Sequence, residues 1–222
     1  MSLILNIDTA LDTASVCLAK DDVILQTAFS KNQKDHASWL HPAINELLQK
    51  NKLSVSELSA VAVSIGPGSY TGLRIGLSAA KGFCYTLNIP LITVNTLKIL
   101  AAAVREQAKD LIVPAIDARR MEIFTAVYES NLHEKIPPHA LIVDETCFSE
   151  LLSSHSLLFC GNGAGKLKSV LENPNANFSE TMGDAATLAG ISYQLYLQKD
   201  FADMAYTEPL YLKEFYSSAF KK

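Results

Sequence analysis

SIGPGSYTGLRIGLSAAKGFCY, residues 64–85, decides the fold of this chain, because a stiff turn rich in glycine and proline leads directly into a helix. Ser69 is placed to cap the first turn of that helix. Gly72, Gly76 and Ala80 recur every four residues and therefore lie on one face, where small side chains allow another backbone to come close. Each glycine costs a helix interior about 1 kcal/mol relative to alanine. The stripe therefore predicts a packing or binding role for this face.

Two glycine-rich runs come close to nucleotide-binding motifs without matching them. The run GPGSYTG at residues 66–72 has Thr71 where the dinucleotide fingerprint GxGxxG requires its third glycine. The run GNGAGKL at residues 161–167 follows Cys160, which replaces the first glycine of a phosphate loop, and it ends in Leu167 instead of the magnesium-binding serine or threonine. We therefore predict a helix-capping turn for the first run and an ordinary loop after a strand for the second.

The composition indicates a globular protein that is not a free-standing nucleic-acid binder. Of the 222 residues, 49% are hydrophobic and 19% are charged, which argues against long disordered regions. The 19 basic and 23 acidic residues give a net charge of −4, whereas nucleic-acid binders usually carry a basic stripe. We therefore expect the chain alone to bind RNA weakly.

Other features favour a soluble protein of the cytoplasm. The opening run MSLILNIDTA contains an aspartate and lacks a basic leader, and no apolar run approaches the roughly 20 residues that span a membrane. Cys17, Cys84, Cys147 and Cys160 are scattered, mostly within apolar segments, and form no CxxC pair. We expect free thiols in a reducing compartment.

The order of predicted elements defines the fold class of the first half. Apolar runs predict strands at 3–7, 14–19 and 23–29, a helix at 37–48, a strand at 60–65, a helix at 70–87 and a strand at 91–94. Three meandering strands followed by alternating helices and strands form the ribonuclease H-like unit, an α/β arrangement with a mixed sheet. We predict one such unit here.

The second half begins the same pattern again. Residues 111–129 echo residues 3–20, and the Ile-Asp pair that ends at Asp8 recurs ending at Asp117. Further elements are predicted as strands at 140–143 and 157–160, and as helices at 145–152, 164–171 and 185–197. The chain is therefore predicted to be an internal duplication.

Two such units facing one another form the architecture shared by actin, hexokinase and Hsp70, in which nucleotide phosphates lie between the halves. We predict subdomains at residues 1–98 and 99–222, with the final segment packing back on the first subdomain. Asp8 and Asp117 would then face a common cleft and could hold magnesium through water, and Arg119 could clamp an anion. The alternative is that these side chains only satisfy turns.

No catalytic set is visible in the sequence. The five histidines include no pair spaced to place two metal ligands on one helical face, and HExxH and GxSxG motifs are absent. The nearest candidates, His36 and His41, lie about 140° apart around a helix. We therefore predict neither a catalytic residue nor a metal site in this chain.

Four segments carry a more specific signal. They are IDTA at residues 7–10, SIGPGSYTGLRIGLSAAKGF at 64–83, PAIDARRMEIFTAVY at 114–128 and EPLYL at 208–212. Together they resemble the TsaB family of tRNA threonylcarbamoyladenosine biosynthesis proteins. The resemblance implies the ASKHA fold of actin-like proteins, a cytoplasmic location and a non-catalytic accessory role.

The resemblance implies that this accessory role serves the transfer of a threonylcarbamoyl group to N6 of the adenosine beside the anticodon. The tRNAs concerned read codons that start with A. Catalysis would lie in the paralogue TsaD, whose metal-binding histidine pair is missing here, and the ATPase TsaE would join a larger complex. The tRNA would be contacted only through that complex. The chain would form a heterodimer with TsaD through helices of its first subdomain.

The resemblance places the contact with TsaD on the two helices of the first subdomain. The residues predicted to bind the partner are Trp39, Leu40, Ile44, Leu47, Gly72, Leu73, Gly76, Leu77 and Ala80. Packing within the chain is the alternative explanation for the small residues, and an exposed apolar face also allows a homodimer when the chain is alone. No cofactor of its own is expected. Two alternatives remain: ATP or ADP with magnesium binds at the interface with TsaD, near Asp8, Thr9, Asp117 and Arg119, or this chain has lost phosphate binding entirely.

Two enzyme classes remain as alternatives. An ATP-dependent small-molecule kinase of the same fold would use Asp8 and Asp117 around magnesium and phosphate, but no segment plainly supplies a general base or a substrate pocket. A metallopeptidase is less favoured, because the sequence lacks a metal-binding histidine pair. Consumption of ATP by the purified chain would favour the kinase.

Overall fold

The first half of the chain forms a mixed sheet covered by helices. The structure, a computed structural model, describes residues 1–30 and 35–213. The first sheet contains β1 (Leu3–Asp8), β2 (Ala14–Lys20), β3 (Val23–Ser30), β4 (Ala60–Ser64) and β5 (Leu91–Val94), and the helices are α1 (His36–Lys50), α2 (Tyr70–Leu87) and α3 (Thr96–Val104). The strand order is β3-β2-β1-β4-β5, with β1 antiparallel to β2 and parallel to β4. This is the predicted ribonuclease H-like unit.

The second half repeats this unit. Its strands are β6 (Leu111–Asp117), β7 (Glu122–Glu129), β8 (Glu134–Ile142), β9 (Leu157–Cys160) and β10 (Ala176–Phe178), and its helices are α4 (Ser149–Ser154), α5 (Ala164–Lys168) and α6 (Ala185–Gln198). The strand order is β10-β9-β6-β7-β8, so β6 takes the central place that β1 has in the first sheet. The predicted α/β class, with two tandem ribonuclease H-like units, is confirmed.

The two halves are interlocked by their last helices. Helix α3 packs its apolar residues, among them Leu100 and Val104, on the second sheet, while α6 lies across the first sheet. Buried Ser192 of α6 donates a hydrogen bond to Asn6 Oδ1 of β1 at 2.6 Å. A division of the sequence at residue 98 therefore falls inside α3, and it assigns α6 to the half on which it does not pack.

The helices of the two halves differ greatly in length. In the first half α1 has 15 residues and α2 has 18, whereas their counterparts α4 and α5 have 6 and 5. The long pair covers one face of the first sheet, where both helices join the apolar core formed with β1, β2 and β4. Among the described residues, only this half has a long helix pair facing outward.

Some predicted boundaries in the second half are wrong. Strand β8 begins at Glu134, six residues before the predicted strand at 140–143, because an edge strand tolerates the prolines Pro137 and Pro138 that would interrupt a central one. Strand β10 was not predicted, since three residues are too few to show a periodic pattern. Residues 214–222, the end of the predicted final segment, lie outside the described residues.

Candidate functional site

The small-residue stripe of α2 faces the chain's own loop between β1 and β2. A Cβ atom at Gly72 would lie 2.1 Å from the carbonyl oxygen of Thr9, and one at Gly76 would lie 2.4 Å from Thr9 Oγ1. The Thr9 hydroxyl donates a hydrogen bond to the Gly72 carbonyl at 2.7 Å. The glycines are therefore required by close approach within the subunit, and the prediction that this stripe contacts another chain is wrong.

The turn before α2 is fixed to the same loop. Ser69 Oγ accepts a hydrogen bond from the Gly72 amide at 3.3 Å, so the predicted helix cap is confirmed. The amide of Ser69 itself donates to the Ala10 carbonyl at 2.7 Å. A Cβ at Gly68 would lie 2.4 Å from that carbonyl oxygen. The glycine turn thus locks two loops of the first half together.

Most residues predicted to bind a partner are in the core of the subunit. Trp39 is half-buried and packs against the core. The other eight are buried: Leu40, Ile44, Leu47, Gly72, Leu73, Gly76, Leu77 and Ala80. The residues selected from the sequence thus lie mainly on the face of the two helices that covers the sheet, although Leu40 also lines a groove on their outward face.

The outward face of the same two helices carries an apolar groove of about 600 Å³. Its lining includes Ala37 and His41 from α1 and Ile75, Gly82 and Phe83 from α2. The rings of His41 and Phe83 are 5.7 Å apart and tilted. Apart from the adjacent residues and the backbone of α2 itself, no atom lies within 4 Å of a Cβ built at Gly82, so α2 is uncovered there. We call this feature the α1–α2 groove.

A second row of small residues marked this groove in the sequence. Ser78 and Gly82, four residues apart, line the groove on a face of α2 rotated away from Gly72 and Gly76, while the buried Ala79 lines it from the side of the core. Sequence reasoning missed this row because helical periodicity reports faces without telling which one meets the sheet. The aromatic ring of Tyr85 beside it is 79% exposed.

Filling the open position on α2 is expected to stabilise the subunit. Gly82→Ala should raise the free energy of unfolding by about 0.5–1 kcal/mol, because alanine favours the helix and its Cβ meets no other atom. Urea unfolding followed by circular dichroism measures this. Gly190→Ala on α6 is a matched comparison, since its Cβ also lies in open space. If Gly82→Ala lost stability while Gly190→Ala did not, the position of the new Cβ at residue 82 would not be open space.

Asp8 is buried and engaged inside the first half. Its side chain is 4% exposed, and Oδ1 accepts hydrogen bonds from Ser64 Oγ at 2.6 Å and from the Ala10 amide at 3.1 Å. Burial raises the pKa of this carboxyl above its usual value, although the two hydrogen bonds oppose the effect. Thr9 is fully buried as well. The prediction that Asp8 faces an open cleft is therefore wrong, and its role is to hold the β1–β2 loop on β4.

Asp117, the counterpart of Asp8, lies at the surface. Its carboxylate forms an ion pair with Lys166 at 2.7 Å and accepts a hydrogen bond from the Arg119 amide at 2.6 Å. Partial burial raises the pKa of Asp117, but the contacts with Lys166 and Arg119 lower it by more, so the pKa lies below its usual value. Arg119 is exposed at the adjacent turn. Of the four residues predicted to lie near a nucleotide, only Asp117 and Arg119 are accessible.

The two histidines of α1 have different surroundings. His36 is fully buried in α1, with Nε2 at 3.2 Å from the Asp12 carbonyl, whereas His41 is exposed on the groove side of the same helix. Within the described ranges 1–30 and 35–213, no group of three His, Cys, Asp or Glu side chains is arranged to hold a metal ion. No helix in these ranges is both long enough and apolar enough to cross a membrane.

The burial of Asp8 predicts a specific pH dependence. In the unfolded chain this carboxyl ionises near pH 3.8, and in the folded chain it ionises at higher pH. As pH rises from about 3.8, the unfolded state therefore gains charge first and the folded state loses relative stability. The urea midpoint of the native chain should fall relative to that of Asp8→Asn between pH 4 and the raised pKa. If the difference between the two urea midpoints stayed constant over this pH range, the pKa of Asp8 would not be raised in the folded chain.

The fold and the groove define the class of this protein: a two-unit ASKHA-type protein whose first half offers an apolar helix-pair surface. The family model described as "TsaD: tRNA N6-adenosine threonylcarbamoyltransferase" matches residues 27–207. The TsaB protein of Bacillus subtilis is 33% identical over 176 residues, which cover 77% of this chain and 75% of that relative. The chain therefore belongs to the TsaB family.

Two further comparisons agree with this assignment. The TsaB protein of Escherichia coli is 35% identical over 129 residues, and the match covers 58% of this chain but only 55% of that relative. A crystal structure from Pseudomonas aeruginosa, described as an uncharacterized protein with similarity to peptidase YEAZ, superposes with a TM-score of 0.85 at 26% identity. That match covers 96% of this chain and 100% of the solved one.

Proposed function

We propose that this chain is an accessory subunit in tRNA threonylcarbamoyladenosine biosynthesis and that it binds TsaD through the α1–α2 groove. The TsaB proteins of Bacillus subtilis and Escherichia coli, to which the chain is similar, are named for this pathway. The observation that carries the docking surface is the groove itself, an apolar concavity on the outside of the only long helix pair in the described residues. An uncovered apolar groove on a soluble subunit marks a protein interface.

The shape of the groove suits an apolar helical surface of the partner. The uncovered backbone at Gly82 allows close approach, and Phe83 and Ile75 supply apolar walls. A helix laid into such a groove makes contacts at every third or fourth residue. We propose that helices of TsaD occupy it, giving a helical bundle shared by the two subunits. A second copy of this chain would use the same groove when TsaD is absent.

We assign catalysis to TsaD rather than to this chain. The acidic residue at the end of β1 is committed to structure, because Asp8 is buried against Ser64. His36 is likewise packed in the core of the first half. TsaD would transfer the threonylcarbamoyl group to N6 of the adenosine beside the anticodon, in tRNAs that read codons starting with A. TsaE would join the larger complex, and tRNA would be bound by the complex rather than by this subunit alone.

We also propose that this chain has no nucleotide cofactor of its own. ATP or ADP with magnesium would be held at the interface with TsaD, where Asp117 and Arg119 offer exposed charged groups. Asp117 is already paired with Lys166, so a nucleotide would have to compete with that ion pair or bind beside it. Asp8 and Thr9 are excluded from this site by their burial.

A reconstitution experiment tests the proposal. Purified chain, TsaD, TsaE, a source of threonylcarbamoyl and tRNA should together form modified tRNA, and omission of this chain should abolish the product. The chain alone should consume no ATP in the presence of small-molecule acids or sugars. Phosphorylation of a small molecule by the purified chain would instead establish the kinase alternative. Full modification without the chain would contradict the accessory role.

A further inference from the structure

A second concavity lies beside the α1–α2 groove and differs from it in charge. It has a volume of about 360 Å³ and lies between α2 and the C-terminal segment, residues 207–213. Arg74, Ser78 and Lys81 line its helical side, at positions that share one face of α2. Ser78 also lines the α1–α2 groove, so the two concavities adjoin at this residue.

Aromatic rings hold the guanidinium of Arg74 in place. Its carbon atom Cζ lies 4.0 Å from the centroid of the Tyr70 ring, and its Nε donates a hydrogen bond to the Tyr211 hydroxyl at 3.0 Å. The rings of Tyr70 and Tyr211 are themselves 5.1 Å apart. A planar guanidinium fixed in this way loses little conformational freedom when it binds an anion.

The C-terminal segment that provides the opposite wall is itself anchored. The amide of Leu210 donates a hydrogen bond to the Ile65 carbonyl at 2.7 Å, next to the glycine turn that precedes α2. Lys213 forms an ion pair with Glu122 of β7 at 2.5 Å, so the segment is tied to both halves. The wall that carries Tyr211 is therefore held against α2.

The pocket has an excess of positive charge. Among the described residues, its lining contains two cationic side chains, Arg74 and Lys81, and one carboxylate, that of Glu208. Neither Arg74 nor Lys81 forms an ion pair with another described residue. A partner that lies in the α1–α2 groove covers Ser78 and passes directly beside Arg74. Covering a guanidinium without a counter-charge costs free energy, whereas a matching carboxylate gives both affinity and register.

We infer that this pocket receives an aspartate or glutamate side chain of the docked partner, with Arg74 as the residue that binds it and Lys81 in support. The inference rests on the docking proposed above. Because the pocket adjoins an apolar groove that suits a protein partner, a carboxylate on the surface of that partner is the favoured occupant. A phosphate of RNA would have to approach a chain whose net charge is −4.

The affinity of the full-length chain for TsaD, measured at low and high NaCl, tests this inference. Arg74→Gln is expected to weaken binding about tenfold at low salt and to flatten the salt dependence. Lys81→Gln should have a smaller effect in the same direction. Arg105→Gln is the matched control, because it removes the same charge from an exposed arginine that does not line the pocket. Melting curves of each variant confirm folding.

The outcomes separate the two proposals. If Gly82→Trp abolishes binding while Arg74→Gln behaves like Arg105→Gln, the carboxylate inference is overturned and the docking surface stands. If Gly82→Trp binds TsaD normally, the docking surface itself is wrong. Tighter binding of a short RNA than of TsaD, lost in Arg74→Gln, would also overturn the inference by giving the pocket a phosphate ligand.

Discussion

Gly72→Ala is expected to destabilise the subunit by about 3 kcal/mol, which lowers the melting temperature by about 6–12 °C for a chain of this size. The new Cβ would lie 2.1 Å from the carbonyl oxygen of Thr9, a backbone atom that cannot move without displacing the β1–β2 loop. That loop also contacts Asp8 through the Ala10 amide and the turn before α2 through the Ala10 carbonyl. Thermal unfolding followed by circular dichroism measures the loss.

A double-mutant cycle makes this prediction sharper. At Gly76 the nearest atom to a new Cβ is the side-chain oxygen of Thr9, at 2.4 Å. Gly76→Ala should therefore be much less harmful in a Thr9→Ala background, whereas Gly72→Ala should be equally harmful in both backgrounds. Equal stability of Gly72→Ala and the native chain would show that the stripe is open to another protein after all.

Gly82→Trp is expected to abolish the association with TsaD while leaving the subunit folded. The indole would fill the α1–α2 groove at the point where the backbone is uncovered, and the loss of affinity should be at least about 100-fold. Copurification and a binding titration measure it. Gly190→Trp on α6 is the matched control, since it adds the same ring at another open helical glycine. Normal binding by Gly82→Trp would contradict the docking surface.

Local patterns in the sequence predicted those elements whose signal is local. Helix α2 was placed at residues 70–87, the bounds that the structure gives, because its capping serine and its apolar period lie within the segment itself. The duplication was also readable, since the Ile-Asp pair at the end of β1 recurs at the end of β6. Both signals span few residues and need no knowledge of distant contacts.

The orientation of α2 could not be read in the same way. Gly72 and Gly76 are small because Thr9 approaches them, and Thr9 precedes Gly72 by 63 residues in sequence. The burial of Asp8 likewise depends on Ser64, which follows it by 56 residues. A stripe of small residues shows that some backbone comes close, but only the fold tells whose backbone it is. The sequence therefore identified the small-residue face of α2 without showing that the β1–β2 loop of the same chain covers it.

Protection of an introduced thiol tests the docking surface most directly. Cys17, Cys84, Cys147 and Cys160 are buried, and burial raises the pKa of Cys17 and Cys84 to about 11 and that of Cys160 to about 12. These thiols should therefore react slowly with a thiol label in the folded chain. A new cysteine at an exposed position can be followed against this low background.

The measurement is the labelling rate of Thr86→Cys, in the α1–α2 groove, with and without TsaD. Ile142→Cys, on the edge strand β8 of the second half, is the control, because the native side chain is 68% exposed and lies far along the chain from α2. Docking through the groove predicts that TsaD slows labelling of Thr86→Cys strongly and leaves Ile142→Cys unchanged. Unchanged labelling of Thr86→Cys at saturating TsaD would contradict it.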